Sequence, residues 1–162
     1  MSLRERLQQR ARPSAVWPLR IDDPTEAREA LERAEHELRV AVIAHTERAP
    51  EIAEAEARVA AARAALAACY EPIELVALAP PEFEALAKEH PPTKDDEAWA
   101  ESFPRALFLA CVRSELTRDE WAVVLDSQLS QGEKTEALNM ALQANLRVPD
   151  AGLPKDWTSI LS

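Results

Sequence analysis

The side chains best suited to chemistry are few: His36, His45 and His90, Cys69 and Cys111, and a run of carboxylates at 95–97. His36 and His45 lie about 2.5 helical turns apart, which sets them on opposite faces of one helix and prevents them from sharing a metal. His90 precedes two prolines and suits a helix cap or a ring packed on a loop better than a catalytic base. Asp95, Asp96 and Glu97 are consecutive, so a helix spreads them round its N-terminus, where the dipole favours negative charge. Asp119-Glu120 suits the same role. The cysteines lack framework spacing and stand in helical contexts, as buried free thiols of a reducing compartment do. These residues assign no catalytic, cofactor-binding or metal-binding site, and no enzyme activity or cofactor is expected.

Backbone chemistry is just as restricted. Phosphate-cradling loops, dinucleotide fingerprints and nucleophile elbows need clustered glycines, and the two glycines here, Gly132 and Gly152, are far apart. A net charge of −10 opposes polyphosphate binding, so no nucleic-acid partner is expected. The first twenty residues run the other way: Arg4, Arg6, Arg10, Arg12 and Arg20 face only Glu5, as a basic docking arm or a solvated terminus. No apolar run approaches the ~20 residues of a membrane span, and the N-terminus lacks the apolar core of a signal peptide. A cytoplasmic protein without a membrane partner is the expectation.

The elements are legible from their punctuation. Residues 3–12 suit a short helix ended by Pro13, and 15–21 a strand that Pro18 confines to a sheet edge. Asp23-Pro24-Thr25-Glu26 starts a helix with Ala27, Leu31, Ala34, Leu38, Val42 and His45 on one stripe. After Pro50, Ile52, Ala55, Val59, Ala62, Leu66 and Cys69 form a second stripe. The two make an antiparallel hairpin or one long helix kinked at Pro50, the hairpin being the simpler arrangement. Residues 73–78 alternate as a second strand, expected to pair with the first. Pro81 opens a helix that ends before His90.

Three further helix starts follow. Thr93 with Asp96, Thr117 with Glu120, and Ser130 with Glu133 each have capping-box spacing, and a helix is expected from about residue 94. Phe103-Pro104 begins a segment, FPRALFLACV, that is apolar nearly all round and so belongs at the centre. Trp121, Val124, Leu125 and Leu129 recur at helical spacing, as do Leu138, Ala141, Leu142 and Asn145 before Val148-Pro149 stops the last helix. The expected fold is mainly α: a helical bundle with a projecting hairpin and a small two-stranded ribbon. Its segments are a basic arm and strand at 1–23, the hairpin at 24–70, a strand plus helical domain at 71–149, and a tail at 150–162.

Aromatic residues make up 5% of the chain, yet four of them are tryptophan, a tilt toward interface chemistry. Trp99, Trp121 and, in the tail, Trp157 with Ile160 and Leu161 are the candidate partner-binding residues. The tail trio falls on one face of a helical turn and has two possible uses: docking back on the protein's own core, or engaging a partner. Alanine-lined helices bury little area each, so self-association through helical faces is also expected.

At HPPT (90–93), FPRALFLACV (103–112), LTRDEW (116–121) and ALQAN (141–145) the sequence resembles the tail assembly chaperones of long-tailed actinobacterial phages and prophages. The likeness extends less specifically back through VWPLRIDD, the alanine-rich helices and PPEFEAL. It implies a non-catalytic, mostly helical protein of the host cytoplasm that coats the tape measure protein, helps the tail tube protein polymerise around it, and leaves before the virion matures. Many such proteins also have a longer, frameshifted form. One departure stands out: where the resemblance leads to a tryptophan after the acidic residue following Gly132, this chain has Lys134. The competing class is a structural virion component, a tail-completion or connector subunit that stays in the particle.

Overall fold

The structure, a computed structural model, describes residues 1–44, 50–95 and 97–147. It is 64% helical with a small antiparallel sheet of three strands. In chain order the elements are α1 (Leu3–Gln8), β1 (Ser14–Arg20), α2 (Thr25–Ala44), α3 (Pro50–Ala67), β2 (Tyr70–Val76), α4 (Pro80–Glu89), α5 (Phe103–Cys111), β3 (Val112–Arg113), α6 (Arg118–Val123), a π-helical turn (Val124–Gln128) and α7 (Gln131–Leu146). Among the described residues no helix is long and apolar enough to cross a membrane.

The chain divides into two compact units, residues 18–72 and the remainder. In the first, α2 and α3 are tied by Arg58–Glu37 at 3.1 Å and Arg63–Glu35 at 3.0 Å. A continuous helix would hold residues 35 and 63 roughly 40 Å apart, so these pairs require two separate helices running antiparallel. Their shared face buries Ala34, Ala55 and Val59, which sit on the two stripes. Val42 does not follow its stripe: with Val40 and Ile43 it is exposed near the end of α2. Asp23 opens α2 by accepting from the Thr25 backbone N–H (3.0 Å) and hydroxyl (2.7 Å), bonds that hold its carboxyl below the usual range.

The sheet has the order β1-β2-β3, with β1 at an edge as Pro18 demands. Ala77 N–H donates to Pro13 C=O and Ile21 N–H to Cys69 C=O, both at 2.9 Å, which fixes one antiparallel register along the whole β1–β2 ladder. Odd-numbered residues of β1 therefore turn their backbone groups toward β2, and even-numbered ones, Pro18 included, toward the free edge. The missing N–H of Pro18 costs the ladder nothing. The expected two-stranded ribbon is corrected to three strands: α5 stops at Cys111, and extended Val112 and Arg113 pair with Leu75 and Glu74. Valine at the exit of a helix, stiff at its branched β-carbon, suits this switch.

Around α5 lies the main core. Phe103, Leu107, Phe108 and Cys111 are fully buried there, with Trp17, Leu75, Trp121, Leu125, Ala137 and Ala141. The capping boxes at Thr117–Glu120 and Ser130–Glu133 form as read, and a third, Ser2–Glu5, starts α1, which ends sooner than expected at Gln8. The helix expected from residue 94 does not form. Thr93 donates its hydroxyl to Glu97 at 3.1 Å, Ala100 N–H returns to His90 C=O, and Trp99 turns onto Phe103, so this loop is held by packing and local bonds; Asp96 lies outside the described residues. The helix through Trp121 also departs from expectation, passing into a π turn at Val124.

Candidate functional site

Helix α5 supports an aromatic group at each end. Phe108 meets Trp17 edge-on at 6.0 Å and Trp121 at 5.5 Å, while Phe103 meets Phe83 at 5.4 Å and Trp99 at 4.8 Å. Proline at the first turn of α5 and six buried side chains in nine residues make it the rod on which the surrounding surface is mounted. Polar groups then fix the neighbours. Trp121 Nε1 donates to Ser114 Oγ at 2.8 Å, and His90 Nδ1 lies 2.8 Å from Ser102 Oγ, with its ring near Phe103. His90 therefore packs at the end of α4, as its prolines suggested. Asn145 joins three elements: its Oδ1 accepts from Leu78 N–H (2.9 Å), and its Nδ2 donates to Cys111 Sγ (3.2 Å) and to Ala141 C=O (2.8 Å).

Beside the Phe103 group an open cleft of about 690 Å3 is lined by Thr93, Glu101, Ser102, Arg105, Lys134 and Leu138, among others. Its charges are organised by Asp126 of the π turn. Arg105 grips both carboxylate oxygens (2.6 and 3.3 Å) and Lys134 adds a third bond at 3.2 Å, which lowers the Asp126 pKa. This is where Lys134 goes in place of the tryptophan expected there. Arg105–Asp126–Lys134 was missed in the sequence, because partners 21 and 8 residues apart on different elements leave no spacing signal.

The carboxyl groups of Asp23, Glu82, Glu120 and Asp126 have their pKa values lowered, by bonds to Thr25, the Ala79 backbone and Thr117 and by the Arg105–Lys134 pair respectively. Burial raises the Cys111 thiol, keeping its proton on. Among the described residues no group of three His, Cys, Asp or Glu is placed to hold a metal.

Of the candidate partner-binding residues, Trp99 is half-buried at the foot of this region. Trp121 is 1% exposed and spent on the core, so the surface beside it is made by Leu116 and Val123, both exposed. Trp157, Ile160 and Leu161 lie outside the described residues. Comparison with protein-family models, with curated proteins and with solved structures gives no match.

Proposed function

We propose that this protein is a non-catalytic tail assembly chaperone, which binds tape measure protein and promotes assembly of tail tube protein around it in the host cytoplasm. The resemblance is the ground for this reading, and one observation supports it: the stretches that carry the resemblance touch one another. Trp121 of LTRDEW and Trp17 of VWPLRIDD both pack on Phe108 of FPRALFLACV, and Asn145 of ALQAN bonds Cys111 of the same segment. His90 of HPPT reaches Ser102, immediately before it. Residues that share one core constrain one another, as those of a family framework do.

The functional surface is then what the framework displays. Trp99 with the cleft above it, and Leu116 and Val123 beside Trp121, offer shallow apolar and mixed-charge contacts suited to a helical segment held weakly and exchanged. Trp157, Ile160 and Leu161 supply a second apolar set. The α2–α3 pair acts as a helical hairpin whose exposed Val40, Val42 and Ile43 provide the contact for homo-oligomers.

Mass spectrometry of purified virions separates this reading from that of a tail-completion or connector subunit. A chaperone is depleted from mature particles yet co-purifies with tape measure protein from cells making tails. Stoichiometric copies in the particle would overturn the proposal in favour of the structural component.

A further inference from the structure

The free edge of β1 faces a groove. Ser14 and Val16 form one wall and Met140, Gln143, Ala144 and Arg147 of α7 the other, enclosing about 350 Å3. The β1–β2 register turns the backbone N–H and C=O of Ser14 and Val16 into this groove rather than toward β2, and Val16 is 55% exposed there. Pro18, two residues on, has no N–H to offer, so the edge accepts only a short strand across 14–16. Among the described residues this edge has no strand partner, and an edge of this kind is a template for another extended segment.

We propose that in the free protein this groove is the seat of the chain's own C-terminal segment, residues 148–162, which adds a short strand to the β1 edge. Three observations select that occupant. Arg147, where the described chain ends, itself lines the groove and leaves α7 extended (φ −81°, ψ 129°), so the segment starts at the site. Its residues 157–161, WTSIL, include aromatic Trp157 and β-branched Thr158 and Ile160, residue types that strands favour. Nine residues lie between Arg147 and Trp157, with Pro149, Gly152 and Pro154 among them to reverse direction, and such a linker spans up to about 35 Å. Tethering at that length gives an effective concentration in the millimolar range, which favours the chain's own segment over a second copy. The inference stands independently of the assembly reading.

Amide hydrogen exchange on the full chain tests it, because the two sets of β1 amides report different things. Ala15 and Trp17 lie in the β1–β2 ladder and report folding; Ser14 and Val16 report the groove. The expected result is slow exchange at Ser14 and Val16 that does not depend on protein concentration and accelerates about tenfold in Trp157→Ala/Ile160→Ser, while Ala15 and Trp17 are unchanged. Rapid exchange at Ser14 and Val16 in the unaltered chain overturns the proposal, as does protection indifferent to the double substitution. Protection that grows with protein concentration assigns the groove to a second copy and overturns it too. Should the double variant lose protection at Ala15 and Trp17, Leu161→Asp in the full chain replaces it, with the same expected loss confined to Ser14 and Val16.

Discussion

The two units solve the same problem with different materials. Residues 18–72 pair two long helices over Ala34, Ala55 and Val59, and add ion pairs whose side chains are one-third to two-thirds exposed. The remainder folds short helices round Trp17, Phe103, Phe108 and Trp121. An alanine contact lets backbones approach but removes little apolar surface from water, whereas each aromatic ring removes ~150–250 Å2. The lesson is that regular secondary structure and resistance to unfolding are separate properties. The unit with the longest helices has the thinner core, and it is expected to open first.

The largest effect should come from Phe108→Ala, which empties the centre of the Trp17–Phe108–Trp121 group. A loss of about 3–5 kcal/mol, seen as a melting temperature lower by roughly 10 °C, is expected. Asn145→Ala comes next at about 1–3 kcal/mol, since it leaves the Leu78 N–H without its partner. In the helix pair, Val59→Ala should cost only about 1–2 kcal/mol and leave the near-ultraviolet signal of the aromatic core intact. If it cost as much as Phe108→Ala, the contrast between the units would fail. Arg63→Ala should fall below about 0.5 kcal/mol by urea titration, because exposed ion pairs contribute little.

The smallest effect sharpens the contrast by pH. Asp126 has a folded-state pKa below its usual 3.8, so the stability it contributes is fully present above that value and is lost as pH falls through the folded pKa. Melting temperatures measured downward from pH 5 should therefore decline less steeply in Asp126→Asn than in the unaltered protein. Cys111 acts at the other end. Its thiol pKa is raised by burial above 9.0, so the stability it contributes persists below that value and is lost as pH rises through the folded pKa. Cys111→Ser should flatten the alkaline limb of the same curve.

What was legible in the sequence was local. Thr117 with Glu120 and Ser130 with Glu133 sit three residues apart and cap their helices with no help from elsewhere. Pro18 announced a sheet edge because a missing N–H has the same meaning in any fold. Thr93 and Asp96 carry the same spacing as the other boxes, yet the loop after them is organised by Trp99 on Phe103, a contact between elements that spacing does not encode. Strand β3 escaped for the same reason: two residues become a strand only because Glu74 and Leu75 lie opposite. In the candidate site, Trp99 and Trp121 were visible as residue types, but not that Trp121 would be consumed by the core while Leu116 and Val123 stayed outside.

The π turn at Val124–Gln128 has a consequence for phase. Hydrogen bonds that reach back five residues instead of four spend one more residue on a turn than an α-helix does. Trp121 and Leu125 still share the buried face, and Asp126 is rotated to where Arg105 and Lys134 converge. The turn thus works as a vernier between two helices. Winding these five residues at α-helical pitch with the length unchanged would turn everything beyond them by roughly 90°, so it is the wider turn that holds the present phase. Pitch, at this one place, is as much a specification as chemistry.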